Sequence, residues 1–424
     1  MKKVLIIGSG AREHAIAHTF HRTDPGIILY AAPGNPGMEA MGVTCLPDPS
    51  YAIQSLVRQA KVLQPDLTVV GPELPLCFGI VNSFQAEGLT VFGPTRQAAQ
   101  LEGSKSFCKK FLNDAGVLTP RYQICKSMPE VTEAIDDGLL VVKADGLAAG
   151  KGVVVAHNST EAKAAASNFM EDGILGEEGR TIVMEEKIVG RECSYIVVTD
   201  GTQFIPLPTA QDYKRLGNHD KGPMTGGMGS FSPAMILPPN YENVLETLVV
   251  LPVLQQLKER VIHFQGALYF GLMITSQGTH VLEINVRFGD PETQSQLIRL
   301  ESSLFEFLHA AAQGNLLRLR ELPMWSWQPA VSVVMASGDY PHQTKTAQII
   351  TGIDDAENSG CSVFHGGTTQ RPDGLAASGG RVLTVTAKEN TFELAAEAAY
   401  RGVGKIHFKG QQFRTDICNN PVLL

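Results

Sequence analysis

Apolar positions in the first hundred residues fall into short runs at 4–7, 27–31, 67–70 and 90–92, each ending at or beside Gly or Pro. Residues 12–22, between the first two runs, read as a helix. Strand-length runs alternating with helical stretches predict a βαβ series, and so a parallel sheet with binding loops at the C-terminal ends of its strands. Four loops sit at such ends: residues 8–14, 32–37, 71–73 and 93–95.

A new unit opens near Gly103. Residues 106–113 read as an amphipathic helix and 139–143 as a strand. A glycine-rich loop at 146–152 leads into a strand at 153–156, an Ala-rich helix at 160–170 and a strand at 181–185. Residues 211–229 are rich in Gly and charge, too polar for a core element and too long for a simple turn. From about Trp325 the pattern predicts strands at 330–336 and 381–386 and a helix at 392–400, a small α+β unit without evident chemistry. The expected division is 1–103, 104–322 (with a lid subdomain at about 120–190) and 323–424.

The most informative pattern lies at 281–287. Strand alternation puts Glu283, Asn285 and Arg287 on one face and Leu282, Ile284 and Val286 on the other. A carboxylate, a carboxamide and a guanidinium in one row suit a metal–nucleotide complex: hard oxygen ligands for the cation and a planar cation for a phosphoryl group. An edge strand with a polar outer face would give the same alternation. It would not account for the turn that follows, where Phe288 and Gly289 lead to Asp290, Pro291 and Glu292.

Composition narrows the class. The chain has 424 residues, 43% hydrophobic and 18% charged, which is globular and long enough for two to four domains. A formal charge of −8, with no basic stripe, argues against nucleic acid as a partner. Seven scattered cysteines without a CxxC pair fit a reduced cytoplasmic compartment and no structural zinc. The apolar run after Met1 is too short for a secretory signal or a membrane span.

Three further motifs are ambiguous taken singly. Gly8 and Gly10 with Glu13 lie between strand and helix as a dinucleotide fingerprint would, but the third glycine and the ribose acid are missing, which argues against NAD. The turn can hold a phosphate at the helix N-terminus or serve packing alone. The loop at 146–152 fails as a Walker A motif, since Asp145 stands where the first glycine belongs and Gly152 follows Lys151. Lys143, inside the preceding strand, is expensive to bury alone; a phosphate or an ion pair would explain it. Residues 184–192 read as strand, linker, strand; they could edge an adenine, with Glu192 on ribose, or form a solvated acidic linker.

In order, these pieces resemble the ATP-grasp ligases, and within them the glycinamide ribonucleotide synthetase (phosphoribosylamine–glycine ligase) family. The residues that carry the resemblance lie at 8–15, 32–35, 71–73, 101–105, 143–152, 211–215, 225–229, 287–292 and 379–383, nearly the whole chain. It implies an N-terminal parallel-sheet (Rossmann-like) α/β domain, a central ATP-grasp fold and a small C-terminal α+β domain. It also implies a cytoplasmic carbon–nitrogen ligase of purine synthesis. That enzyme would join glycine to 5-phosphoribosylamine with ATP and Mg²⁺ or Mn²⁺, through a glycyl phosphate, as a monomer or a dimer.

The resemblance also implies roles for residues. Lys105 and Lys143 would hold the ATP phosphates. Gly146, Ala148, Ala149, Gly150, Lys151 and Gly152 would cover them. Glu185, Glu186 and Ile188 would edge the adenine, and Glu192 would take the ribose. Glu283 and Asn285 would ligate metal, and Arg287, with Lys143 and Asp290, would act in catalysis. Gly8, Gly10, Arg12, Glu13, Gly34, Asn35, Pro72 and Glu73 would meet substrate from the N-terminal loops. Asp212, Lys214, Arg215, Thr225, Gly226 and Gly227 would do so from the polar segment, and Asp290, Pro291 and Glu292 from the turn. Ala11, Pro36, Tyr213 and Met224 depart from the family pattern, and the strand at 267–274 lacks the third metal carboxylate common in this fold. A different ATP-grasp ligase or carboxylase, and a non-catalytic nucleotide-binding module, are the rival readings.

Overall fold

A computed structural model describes residues 1–47, 52–148, 152–238, 240–342 and 348–419. The N-terminal runs form a five-stranded parallel sheet in the order Thr44–Cys45, Ile28–Pro33, Lys3–Gly8, Leu67–Val70, Val91–Phe92. Its central strand is apolar on both faces, as a covered parallel sheet requires. Leu5 and Ile7 enter one core and Val4 and Ile6 another.

Two antiparallel sheets follow. The smaller joins Tyr122–Cys125, Ile182–Glu186, Leu139–Ala144 and Val153–Val155, and carries helices Met128–Asp136 and Ser159–Met170 over a separate core. The second joins Phe204–Pro206, Arg191–Thr199, Gly266–Thr275 and Gly278–Asn285. It shares both cores of the parallel sheet: Tyr195 and Val197 lie in one, Ile196 and Val198 in the other.

The polar segment at 211–229 differs from the expectation. Gln211–Asp212 and Gly229–Ser232 are strands, paired in one sheet with Ala330–Ala336, Arg381–Lys388 and Ser362–His365. Between them Arg215–Gly217 and Lys221–Met224 form a hairpin. Tyr213 is buried there despite its polar neighbours. The C-terminal sheet therefore takes strands from both sides of residue 323. No helix of the described residues is long and apolar enough to cross a membrane.

The N- and C-terminal units meet through histidines. His14 and His18, on helix Ala11–Thr23, pack edge-on against Phe364 at 5.6 and 5.5 Å, and His365 N–H donates to His14 Nδ1 at 2.9 Å. Burial pushes all three imidazoles down, His18 and His365 to about 4. Their folded pKa lies below the unfolded one, so the folded state binds fewer protons and loses stability as pH falls from about 6.5 towards 4. Each of His18 and His365 is worth on the order of 3 kcal/mol across that window. The thermal midpoint should fall more steeply over this range in the unaltered protein than in His18→Leu; parallel curves would contradict the assignment.

Candidate active site

A cavity of about 930 Å³ opens where the C-terminal ends of the parallel strands meet the two antiparallel sheets. Its walls bring together most of the polar residues expected from sequence, although they span residues 10 to 381 of the chain.

Lys143 projects from strand Leu139–Ala144 with its Nζ 2.9 Å from Glu185 Oε1, and donates to Leu282 O at 3.3 Å. A buried strand lysine is thus explained by an ion pair, and it still lines the cavity. Lys105 opens helix Lys105–Asp114, which Ser104 caps through Phe107 N–H. Its Nζ donates to Gly146 O at 3.2 Å. Burial lowers its ammonium pKa, and Glu283 opposes the shift. Asp145 ties this helix start to the glycine loop by accepting from Ser104 Oγ and from Ser106 N and Oγ. Ala148 and Gly152 line the cavity, and Gly146 does not; Ala149, Gly150 and Lys151 lie outside the described residues.

Glu186, Ile188 and Glu192 follow along the wall. Glu186 is held by Arg121, and Glu192 by Lys214 at 2.8 Å. Opposite them, strand Gly278–Asn285 carries Glu283 and Asn285. The alternation expected from Leu282 to Val286 is interrupted. Gly271 pairs with Glu283 but Leu272 with Val281, so Leu282 is an extra residue, a β-bulge. Val281 and Ile284 both enter the core, and Leu282 lines the cavity instead. Burial works to raise the Glu283 carboxyl, but Lys214, Lys143, Lys105 and Arg287 together bring it down to about 2. It stays ionised at any physiological pH.

Arg287 turns towards the N-terminal unit. Its Nη2 lies 2.7 Å from Glu102 Oε1 and its Nε 3.5 Å from Glu73 Oε2, and Nη1 donates to Phe288 O. Burial raises the Glu102 carboxyl, with Arg287 opposing; for Glu73, Arg287 and Arg12 overcome burial and lower it. Arg12 lies beside them, its Nε 2.5 Å from Glu13 Oε1 and its Nη1 donating to Phe288 O.

Glu13 also explains the missing third glycine. Its Oε2 accepts from Gly10 N–H at 2.7 Å, so the protein's own carboxylate occupies part of the helix N-terminus. A Cβ at Gly8, which has φ +133°, would fall 2.5 Å from Glu13 Cγ, and one at Gly71 would fall 2.0 Å from Glu13 Oε1. These glycines make room for Glu13. Gly34 and Asn35 lie off the cavity wall. Asn35 accepts from Met38 N–H and donates to Ser9 O and His365 O, which uses its amide for structure.

The segment after strand Arg191–Thr199 brings Asp212, Lys214, Arg215, Thr225 and Gly226 to the wall, with Asp290 and Glu292 facing them; Gly227 and Pro291 sit behind. Burial and the nearby Glu292 push the Asp212 carboxyl well up, and its Oδ1 has no hydrogen-bond partner. Burial would lower Lys214, but Glu192, Glu283 and Asp212 raise it. Glu292 accepts from Ser194 Oγ at 2.8 Å and Tyr269 OH at 2.5 Å.

Several residues in or behind the wall were given no site role from sequence. Arg381, from the C-terminal unit, pairs with Asp290 at 2.9 Å and donates to Asp290 O and Gly226 O. Arg414 stacks 4.6 Å from the Tyr213 ring centroid and bonds Asp220 and Asp416, docking the 215–224 hairpin on the C-terminal segment. The C-terminal unit was expected to carry no chemistry, yet it fixes two walls of the site. Lys109 sits beside Glu185. Its position four residues after Lys105, on the apolar face of the helix, was the available signal.

Comparison with known proteins gives the family. Three family models match in sequence order: the phosphoribosylglycinamide synthetase N domain at residues 2–102, its ATP-grasp (A) domain at 103–293 and its C domain at 330–420. The phosphoribosylamine–glycine ligase of Ralstonia nicotianae is 42% identical over 99% of both chains. That of Vibrio cholerae is 40% identical over 98% of this chain and 97% of its own. The crystal structure of the Thermotoga maritima phosphoribosylamine–glycine ligase superposes with a TM-score of 0.83 at 31% identity, covering 98% of this chain and all (100%) of that one. The biotin carboxylase domain of the Hydrogenobacter thermophilus 2-oxoglutarate carboxylase covers 97% of this chain and 91% of its own with a TM-score of 0.72. At 16% identity that likeness is one of fold. With identity of this level along the whole length, and all three domains in order, the chain belongs to the phosphoribosylamine–glycine ligase family.

Proposed function

We propose that this chain is an ATP-dependent carbon–nitrogen ligase that joins glycine to 5-phosphoribosylamine, giving glycinamide ribonucleotide, ADP and phosphate. The observation that carries the reading is the cluster of Lys105, Lys143, Lys214 and Arg287 around one ionised carboxylate, Glu283, in a cavity walled by all three units. That arrangement suits a polyphosphate with its metal, and relatives alike over the full length carry the ligase name.

Lys105 and Lys143 hold the phosphates, with Ala148 and Gly152 on the same cavity wall, and the wall at Glu185, Glu186 and Ile188 takes adenine with Glu192 on ribose. Glycine's carboxylate oxygen attacks the γ-phosphorus, the bond to the ADP oxygen breaks, and glycyl phosphate forms. The amine of phosphoribosylamine then attacks the glycyl carbonyl carbon; phosphate leaves with the bridging oxygen, and the amine loses a proton. Arg287 steadies the charge on the transferring phosphoryl group, and its ion pairs with Glu102 and Glu73 fix its plane beforehand. Arg381 overcomes the burial of Asp290 and lowers its carboxyl, so it meets an ammonium or amine as an anion. Gly10, Arg12, Pro72 and Glu73 face the phosphoribosyl group.

The donors fit a divalent cation. Glu283 is a carboxylate held ionised, and Asn285 offers a neutral oxygen two residues on. No group of three or more His, Cys, Asp or Glu among the described residues could hold a metal alone. Two protein oxygens completed by phosphate oxygens and water are what Mg²⁺ or Mn²⁺ takes with a nucleotide. When bound, such an ion withdraws charge from the phosphates. All seven cysteines are free, which agrees with a reducing cytoplasm. We assign small-molecule substrates only, with no nucleic-acid or membrane partner, and a monomer as the working unit, a dimer being the alternative.

The test is ADP release with one substrate omitted at a time. Turnover should need both glycine and phosphoribosylamine, above a slow background. Equal turnover with bicarbonate replacing glycine would move the chain to the carboxylases.

A further inference from the structure

Lys105 and Lys109 stand one turn apart on helix Lys105–Asp114, so both side chains leave the same side. Lys109 is 2% exposed, on the face that also buries Cys108, Phe111 and Leu112. A lysine there needs compensation. It has it twice. Its Nζ lies 3.1 Å from Glu185 Oε2 and donates to Thr119 Oγ1 at 2.7 Å; that hydroxyl in turn donates to Val281 O at 2.8 Å. The other oxygen of the same carboxylate faces Lys143 Nζ at 2.9 Å. One buried carboxylate is shared by two buried ammonium groups.

The count of charges decides what this arrangement can do. A lone Lys143–Glu185 pair would be neutral overall and would attract a phosphate weakly. A second ammonium on Glu185 leaves the group positive, in a place too buried for water to screen. It also holds the carboxylate from its far side, so Lys143 is fixed between Glu185 and Leu282 O rather than free to swing.

We propose that Lys109 is a positioning residue for the nucleotide end of the cavity: by sharing Glu185 with Lys143 it keeps that lysine's charge available to an ATP phosphate and holds its Nζ in place. This rests on the reading of Lys143 as a phosphate-binding group. Lys109 then acts through Glu185 on a neighbour.

The surroundings make the claim measurable. Burial and Lys143 push the Lys109 ammonium down to about 8, against Glu185 and Cys108. The strand Leu139–Ala144 presents Lys143 to it, the strand Ile182–Glu186 presents Glu185, and its own helix Cys108. Glu283, from strand Gly278–Asn285, acts on Cys108 and Lys105; Glu102, from helix Gln100–Gly103, acts on Lys105. Helix Leu251–Glu259 turns its buried Val253, Leu254 and Leu257 to the shared core. As pH rises through the Lys109 value the group of three becomes neutral, and phosphate binding should weaken.

The experiment is calorimetric binding of ATP with saturating Mg²⁺, without glycine or phosphoribosylamine, from about pH 7 to about pH 9. At the lower pH, Lys109→Met should weaken ATP binding about tenfold, the equivalent of one pKa unit of lost interaction. Lys109→Arg, charged throughout, should recover part of it. The unaltered protein should lose more affinity across the range than Lys109→Met, which starts weak and in which Lys105 is the remaining cavity lysine lowered by burial. Equal ATP affinity in Lys109→Met and the unaltered protein, or the same pH slope in both, would overturn the proposal. Where Lys109→Met does not fold, judged by its thermal midpoint, the unaltered protein decides: affinity flat through the Lys109 value overturns it. An unaltered protein that binds no ATP at any pH would instead remove the ATP reading, and this proposal with it.

Discussion

Arg287→Ala is expected to lower kcat by about a hundredfold, the usual consequence of losing one preorganised donor to transition-state charge, or on the order of 3 kcal/mol. Its Mg²⁺ dependence should stay near normal, because no metal ligand is lost. The ion pairs add a second effect. Without Arg287, Glu102 keeps, among the described residues, the Val286 N–H as a hydrogen-bond partner and Arg12 as a lesser opposing charge in a buried site. Leaving one member of a buried pair uncompensated typically costs about 3–5 kcal/mol. Burial already raises the Glu102 carboxyl, and losing Arg287 raises it further. A raised folded pKa means stability is kept below the unfolded value and lost as pH rises, so the drop in melting temperature should be larger at alkaline than at acid pH. Kinetics with a Mg²⁺ titration, beside melts at several pH values, check both parts. A normal kcat would remove Arg287 from the chemistry and leave it a strut between units.

Glu283→Gln should act differently. Its carboxylate is drawn down by Lys214, Lys143, Lys105 and Arg287 against the opposing effect of burial. The amide keeps an oxygen but not the charge. Four cations then face one another with less compensation, and metal affinity falls. We expect a right-shifted, steeper Mg²⁺ dependence and a kcat lowered by about one to two orders of magnitude, partly restored by high Mg²⁺. Rescue of Arg287→Ala by Mg²⁺, without rescue of Glu283→Gln, would reverse the two roles along this strand.

The parallel sheet and the Glu283–Arg287 row were legible because each rests on local periodicity. What stayed hidden depends on partners far away in the chain. Alternation placed Leu282 on the face away from Glu283, but the bulge opposite Gly271 and Leu272 turns it to the cavity, and a register shift leaves no trace in one strand's sequence. The segment at 211–229 looked too polar for a core element; its strands form because Gly229–Ser232 pairs with Ala330–Ala336, about a hundred residues on. Glu13 replaces a fingerprint glycine and fills the space that Gly8 and Gly71 leave. Asn35 was expected on substrate from its loop, but its amide is spent on Met38, Ser9 and His365. Arg381 lies in a stretch that carries the family resemblance and Arg414 in none; neither pointed to the site, because only tertiary packing brings them to Asp290 and Tyr213.

The central claim is that glycine's carboxylate is activated by ATP and then captured by the ribosylamine. Turnover with glycine labelled with ¹⁸O in its carboxylate tests it directly, by mass analysis of the phosphate released. Attack by the carboxylate on the γ-phosphorus leaves one glycine oxygen bridging carbon and phosphorus, and that oxygen departs with phosphate. The account predicts one ¹⁸O in each phosphate formed, in step with glycinamide ribonucleotide. Unlabelled phosphate alongside product would contradict it.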